Sequence, residues 1–418
     1  MGIYMRRIAN TIMLFLLIFQ WSAFAQQNYS IKELVDSAFQ TFELIKAQQL
    51  KIDEMEALRK YNTQWKNPEI SAYYGSKSIE SHKGDVAGVS IVQPLYFPGK
   101  ISFVDEIYRY KKNYEALSYE EMKYFIASTV INLSYDYAIK TLHSDHINSR
   151  LNRLKIINAY MSGRPVISPQ KRVEIAIVKN TIRMLESEIY KLKADKATTF
   201  ARLALYTRIA SPQLSLHINW ITNPPLYDIN AIEQKAKKES LLVKKQKQVY
   251  MASVAELSLS KKNIFPDFSI LFNYDYEKVI DSEKTISGGI SIPIPLYNQN
   301  QNEIKAMQSR VKQEEFISHY VEKMIETDIR TIMAQYDYYR NLLGLYSPDL
   351  EDELNRSMVY ADNQFQRGTI TLQSYLELDV QVHETLENIY TTQKELVRNI
   401  SAIACLINDY TILLGIAQ

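Results

Sequence analysis

A domain-sized internal repeat, with short strands set inside an otherwise helical sequence, constrains the fold of this chain most strongly. Val89-Ser90-Ile91-Val92-Gln93-Pro94-Leu95-Tyr96 returns as Ile290-Ser291-Ile292-Pro293-Ile294-Pro295-Leu296-Tyr297, displaced by 201 positions. Asn67-Pro68-Glu69-Ile70-Ser71 returns as Phe265-Pro266-Asp267-Phe268-Ser269, displaced by 198. Ile31, Leu34 and Ala38 return as Ile229, Ile232 and Ala236, again displaced by 198. The register therefore holds across a helix and a strand and slips by three residues within the hairpin that follows. A fixed period marks a duplicated structural unit, and this one is far longer than a solenoid repeat.

The pattern divides the chain into a leader over 1–25, a first repeat over 26–209, a link over 210–227 and a second repeat over 228–418. Arg6 and Arg7, the apolar run Ile12 to Phe19 and the small-x-small Ala23-Phe24-Ala25 have the form of a cleaved export signal. Eight apolar residues are too few for a span, which needs ~20. The chain holds 49 Lys plus Arg against 47 Asp plus Glu, so loss of the two leader arginines leaves the charges balanced. That balance argues against nucleic acid as a partner. Cys405 is the only cysteine, so no intramolecular disulfide forms, and its apolar helical setting reads as a small buried hydrophobe. Only 11 glycines in 418 residues suit long helices, while 30 tyrosines suit surfaces where apolar matter meets water.

Within each repeat the order is helix, two strands, long helix, turn, helix. Residues 30–64 read as one helix with a capping box at Ser30 and Glu33. Strands are expected at about 69–76 and 86–95, around a polar loop from Lys77 to Asp85. Residues 102–160 carry neither Gly nor Pro and predict a helical rod of roughly 90 Å. It breaks at Ser162-Gly163-Arg164-Pro165 and resumes from Pro169 to Tyr206. The link contains Pro212, Pro224 and Pro225 and room for one short strand. The second repeat predicts a helix over 229–263, strands at about 267–276 and 287–296, and a rod over 302–366 interrupted near Gly344 and Pro348. After Arg367-Gly368 a final helix is expected to run to the C-terminus. Its Leu386, Ile389, Leu396, Ile400, Ile403, Ile407, Tyr410 and Leu414 have coiled-coil spacing.

Phe268, Ile270, Phe272, Tyr274 and Tyr276 alternate with Asp267, Ser269, Leu271, Asn273 and Asp275, and Ile290, Ile292, Ile294 and Leu296 alternate with small residues. This is the dyad pattern of a tilted transmembrane strand, which needs ~9–11 residues. Most alternating strands belong to half-buried soluble sheets, yet no other strands lie nearby to cover these. Four strands do not close, and lipid tolerates no unpaired edge. An oligomeric barrel reconciles the two, with Trp65, Tyr73, Tyr74, Tyr96 and Tyr297 as interfacial aromatics.

These features resemble the TolC family of outer-membrane efflux proteins over essentially the whole mature chain. The most specific segments are Gln93-Pro94-Leu95-Tyr96-Phe97-Pro98-Gly99-Lys100 and Pro293-Ile294-Pro295-Leu296-Tyr297-Asn298-Gln299-Asn300-Gln301, the second similar to the heavy-metal and cation branch. Gly368-Thr369-Ile370-Thr371 and Leu413-Leu414-Gly415 also match. The resemblance implies long α-helical hairpins plus four transmembrane β-strands per subunit. It implies a homotrimer whose 12-stranded β-barrel continues as a 12-helix periplasmic α-barrel. The implied role is a passive exit duct of a tripartite efflux or type I secretion system, in outer-membrane lipid, with a periplasmic adaptor and an inner-membrane pump as partners. A periplasmic adaptor and a coiled-coil scaffold are the competing classes.

Gly163, Arg367 and Gly368 are then the candidate periplasmic tip and adaptor contacts. Two constriction aspartates of the family fall on Ser374 and Glu377, so Glu377 is the candidate ring carboxylate; a solvated helix residue is the equal alternative. Lys235, Lys237 and Lys238, with Lys244, Lys245 and Lys247, read as solvated faces, contacts between subunits being the runner-up. His143 and His146 lie three apart on the first rod, with no further ligand of suitable spacing. No phosphate loop, nucleophile elbow or metalloprotease motif is present, so neither an enzyme nor a resident cofactor or metal is expected.

Overall fold

The computed structural model describes residues 28–163, 168–210, 214–216, 218–297, 299–347 and 349–417. The expected leader, the turn residues Arg164 and Pro165, and Pro212, Asn298 and Pro348 lie outside the described residues. Two compact units are present, and each draws on both sequence repeats. One takes residues up to Phe42, Lys123–Ile232 and Ile329–Gln418; the other takes Glu43–Met122 and Glu233–Asp328.

In the first unit α1 (Ile31–Thr41) begins at the expected capping box. The Ser30 N–H donates to Glu33 Oε2 at 2.8 Å and Ser30 Oγ accepts from the Glu33 N–H at 3.2 Å, satisfying two end donors reciprocally. Ile31, Leu34, Val35 and Ala38 face the core. The helix expected over 30–64 is in fact two helices, because Phe42 is extended and α2 (Glu43–Thr63) starts anew. The break lets α1 dock on the end of α4 (Pro169–Thr207). Ser37 Oγ and Thr41 Oγ1 donate to the Thr207 and Tyr206 carbonyls, which a helix C-terminus otherwise leaves unsatisfied, and Phe42 lies 4.8 Å from the Tyr206 ring.

The second repeat breaks at the same register. Ser240, 198 residues after Phe42, separates α5 (Ile229–Glu239) from α6 (Leu241–Lys262) where one helix was expected. The remaining helices are α3 (Lys100–Ser162), α7 (Gln301–Leu343), α8 (Leu350–Arg367), α9 (Leu372–Leu406) and α10 (Tyr410–Ala417). The helix expected to run to the C-terminus is therefore broken in two: Asn408 takes φ 53° between α9 and α10, and Leu413 is fully buried where Leu414 was expected in the seam. Among the described residues no helix is long and apolar enough to cross a membrane.

The seam of α9 is largely apolar, with Leu386, Leu396, Ile400 and Ile403 buried. The seven-residue gap in its spacing holds Gln393, which is also buried. Its side chain accepts from the Ile221 N–H and donates to the Ile221 carbonyl, both at 2.9 Å, pairing the inter-repeat link as a strand neighbour would. Two-residue strands β1 (Asn28–Tyr29) and β4 (Ser215–Leu216) pair in parallel beside it.

In the second unit the strands are β2 (Glu69–Ile79), β3 (His82–Leu95), β5 (Phe268–Lys278) and β6 (Ser282–Ser291). They form one antiparallel sheet in the order β2-β3-β5-β6, so the first repeat's hairpin pairs directly with the second's. The expected loop from Lys77 to Asp85 shrinks to Glu80 and Ser81, because its polar residues continue the ladder: Lys77 pairs with Gly84 and Ser76 with Asp85. Conversely β6 ends at Ser291 rather than 296, since β5 offers no partner beyond Ser269 and Pro293 and Pro295 lack donors.

The repeats also share an interior contact in this unit. Gln48 donates to the Glu115 carbonyl at 3.1 Å and its carboxylate at 2.6 Å. Gln246, 198 residues later, does the same to Glu314 at 3.5 and 2.9 Å. The expected solvated lysines divide: Lys237 pairs with Glu326, and Lys245 with Glu121, so these are contacts between helices of one chain.

Gly84 packs tightly against the second hairpin, since a Cβ there would lie 1.9 Å from the Lys278 carbonyl oxygen. Gly84→Ala is expected to destabilise the sheet by about 1–3 kcal/mol through overpacking, whereas Gly75→Ala, whose Cβ would meet Val86 at an ordinary 3.6 Å, leaves it unchanged. Thermal unfolding of the two variants, followed at a strand-sensitive circular dichroism band, checks the contrast.

Candidate functional site

The ladder register sorts the sheet into two chemically opposite faces. Directly opposed residues point the same way. One face therefore carries Ile70, Ala72 and Tyr74 on β2, Val89 and Ile91 on β3, Ile270, Phe272 and Tyr274 on β5, and Ile286 and Ile290 on β6. These side chains are exposed: Ile70 by 71%, Tyr74 by 75%, Phe272 by 48% and Ile290 by 68%. The other face is a polar ladder. Ser90 Oγ donates to Asn273 Oδ1 at 2.6 Å, Asn273 donates to Ser287 Oγ at 3.4 Å, and Lys77 reaches Glu277 at 2.6 Å. Tyr73 belongs to this polar face, not with the expected interfacial aromatics. It crosses Gly88 to donate to Asp275 Oδ1 at 2.7 Å, and a Cβ at Gly88 would lie 2.4 Å from its ring.

The junction from strand to helix is tied by one carboxylate. Asp267 Oδ1, just before β5, accepts from the Phe97 N–H at 3.0 Å and from Lys100 Nζ at 2.9 Å, and Lys66 lies 3.6 Å from Oδ2. Gly99 takes φ 88° to turn the chain into α3. The Gln93 that interrupts the apolar alternation is satisfied there, donating to the Lys66 and Pro94 carbonyls.

In the helical unit the described residues that flank the two expected turns come together. Tyr160 of α3 and Gln366 of α8 line one groove, and Met161 and Ile370 pack on the same apolar cluster. Gly163 closes α3 by donating to the Ala159 carbonyl at 3.2 Å. Gly368 takes φ 75°, a left-handed cap ending α8, and Thr371 starts α9 by accepting from the Ser374 N–H at 3.1 Å. Arg367 is exposed in the last turn of α8, where a cation offsets the helix dipole. Tyr375, fully buried, donates to Asp362 Oδ1 at 2.7 Å and so pins α9 to α8. Burial, reinforced by Asp362, holds its phenol well above the usual range. Glu377 is exposed, accepts from Gln373 at 3.0 Å, and lines an open groove of about 840 Å³ with Val173 and Ile177 of α4 and Leu376 and Val380 of α9. Ser374 is absorbed in the cap.

Sequence reasoning missed the polar layer above that tip. Asp379 of α9 and Arg150 of α3 are 2% and 4% exposed. Arg150 Nε and Nη2 donate to Asp379 Oδ2 at 3.1 and 2.8 Å, and Arg153 lies 3.4 Å from Oδ1. One turn further on, His143, His146 and His383 stack, with centroids 5.8 Å apart for His143–His383 and 5.5 Å for His146–His383. Burial, with the Arg150 charge adding to it, pushes His146 and His383 down to about 4. His143 is thus not on an exposed face, and carboxylates do accompany it: Glu188 of α4 and Glu387 of α9 come to 3.6 and 3.3 Å from its Nε2. A readable signal existed. His143, His146, Arg150 and Arg153 follow a 3-4-3 spacing on α3, and Asp379, His383 and Glu387 a 4-4 spacing on α9, so each set marks one polar helix face. Cys405 is inert by comparison, its thiol pushed up to about 11 by burial.

No protein-family model matches the chain, and no curated protein matches it in sequence. Solved structures do match in shape. CusC, described for conformational changes accompanying folding and transmembrane channel formation, superposes with a TM-score of 0.71 over 92% of each chain at 13% identity. The outer-membrane channel OprN gives 0.73 over 91% of this chain and 90% of its own, at 13% identity. The Campylobacter jejuni outer membrane channel CmeC gives 0.69 over 91% and 85%, at 12% identity. The chain has the fold of these channels. The open four-stranded sheet and long helices agree with the fold that the TolC resemblance implied.

Two substitutions separate the parts of the helical unit. Asp379→Asn strands buried guanidinium charge and is expected to cost about 3–5 kcal/mol, read as a lower thermal midpoint, while the exposed Glu377→Gln leaves that midpoint unchanged. Gly368→Ala forces a Cβ into the left-handed region at a cost of about 1–2 kcal/mol, which hydrogen exchange at the ends of α8 and α9 would register as faster opening.

Proposed function

We propose that the chain is a passive exit duct of the outer membrane, assembled as a homotrimer. The sheet carries this reading: one exposed apolar face, one hydrogen-bonded polar face and edges at β2 and β6 with no outer neighbour among the described residues. Water disfavours that apolar face, and lipid disfavours those edges unless other copies pair them. Each strand has 10 to 14 residues, enough for a tilted span. Two copies would supply eight strands, and an eight-stranded barrel is largely filled by its own side chains. Three copies would supply twelve, leaving a lumen lined by the Ser90–Asn273–Ser287 ladder.

In this reading the leader over 1–25 directs export and the helices continue the duct into the periplasm as a twelve-helix tunnel. The turns at Gly163 and Arg367-Gly368 meet a periplasmic adaptor, which couples the duct to an inner-membrane pump. The pump, rather than this duct, would select the cargo. Three copies of Glu377 would ring the lumen beyond the tip and attract cations.

Fractionation and planar-bilayer recording test the proposal together. The expected outcome is recovery in the outer membrane and discrete channel conductance from purified trimers; recovery in the soluble periplasm without detergent overturns it. Glu377→Gln is expected to weaken cation preference and cation block, and an unchanged preference returns Glu377 to the solvated surface of α9.

A further inference from the structure

Four side chains from three helices converge in the helical unit on a pattern that neither channel conduction nor packing requires. His143 comes from α3, Glu188 from α4, and His383 and Glu387 lie one turn apart on α9. One nitrogen or oxygen from each lies within 4.8 Å of all the others. His143 Nε2 stands 3.6 Å from Glu188 Oε1 and 3.3 Å from Glu387 Oε1, and His383 Nε2 stands 3.9 Å from Glu387 Oε2. A tetrahedral ion with nitrogen and oxygen ligands at ~2.0–2.2 Å sets its ligands about 3.3–3.5 Å apart. The observed separations lie at or somewhat above that value, so rotations of the two partly exposed carboxylates would draw the set together.

Three further observations favour an ion over a plain histidine–carboxylate pair. His143 Nε2, the nitrogen that faces both carboxylates, is buried with no hydrogen-bond partner among the described residues, a costly state for a polar atom. The groups within ion-pair distance of Glu188 and Glu387 are these histidines; among the described residues no Lys or Arg is paired with either carboxylate. The cations along α3 on either side of these histidines have other partners: Lys140 is committed to Asp136, and Arg150 and Arg153 to Asp379. Two neutral imidazoles and two carboxylates make a dianionic donor set of intermediate softness, suited to zinc-like divalent ions.

We propose that His143, Glu188, His383 and Glu387 form a binding site for a divalent transition-metal ion of the zinc class, closed by four protein ligands and tying α3, α4 and α9 together. A site with no open position holds structure rather than performing chemistry. His146 stacks on His383 and orients it without being a ligand.

The test uses the full chain in detergent, without a polyhistidine tag, titrated with Co²⁺ at neutral pH. The expected result is the visible absorption of tetrahedral Co²⁺, saturating at one ion per chain and bleached by Zn²⁺. His383→Ala and the size-preserving Glu387→Gln should each weaken binding at least ~10-fold, while His319→Ala, an exposed histidine on α7, retains it. Helical circular dichroism of Glu387→Gln separates lost ligation from lost folding. Absence of tetrahedral absorption in the wild-type chain, or binding in a folded Glu387→Gln variant within about twofold of wild type, overturns the proposal.

Discussion

An unpaired backbone group in hydrocarbon is the constraint on which the proposed architecture depends. The sheet leaves its apolar face exposed, and β2 and β6 have no outer strand neighbour among the described residues. A soluble protein would cover such a face and blunt such edges. Here the apolar face is continuous across all four strands, and in the proposed duct lipid would bury it and other copies would pair its edges. The polar face complements this, because its hydroxyl, amide and carboxylate groups satisfy one another across strands and also face water well. Tyr73 crossing Gly88 to reach Asp275 shows how closely this face is built.

The helical unit answers a different constraint, that of long helices packed along much of their length. Apolar seams supply most of the adhesion, with Leu386 and Val382 on α9 in one buried cluster with Ile147 and Leu154 on α3. Apolar seams alone tolerate slippage by a turn. Buried polar contacts at Gln393, at Arg150 with Asp379 and at the histidine layer each have one low-energy register, since any shift leaves a buried donor or charge unpaired. Their net contribution to stability is modest, so register specification is the role that fits them.

The duplication is expressed unevenly in three dimensions. Phe42 and Ser240 interrupt their helices at matching positions, and Gln48 and Gln246 make matching bonds to Glu115 and Glu314. The strand-to-helix junctions diverge: Gly99 turns the first with φ 88°, and Asn300 turns the second with φ 61° while donating to the Ser260 carbonyl. Asp267 of the second copy binds Lys100 of the first, so at this point the copies have specialised into complementary halves of one lock.

What could be read from residue order was local and periodic. The capping box at Ser30, the two-residue alternation from Phe268 to Tyr276, the heptad spacing of α9 and the duplication itself are all properties of neighbours along the chain. The helix breaks at Phe42 and Ser240 were not legible, because neither carries a Gly or Pro signal, and the first serves docking onto the distant Tyr206 and Thr207 carbonyls. The end of β6 was misplaced because a strand stops where its partner stops. Arg150 meets Asp379 across 229 residues, and Glu188 meets His143 and Glu387 through three separate helices. The sequence shows that α3 and α9 each carry a polar stripe, but not that the stripes meet. That choice belongs to packing, in which the cost of a buried unpaired charge admits one pairing among the many that periodicity allows.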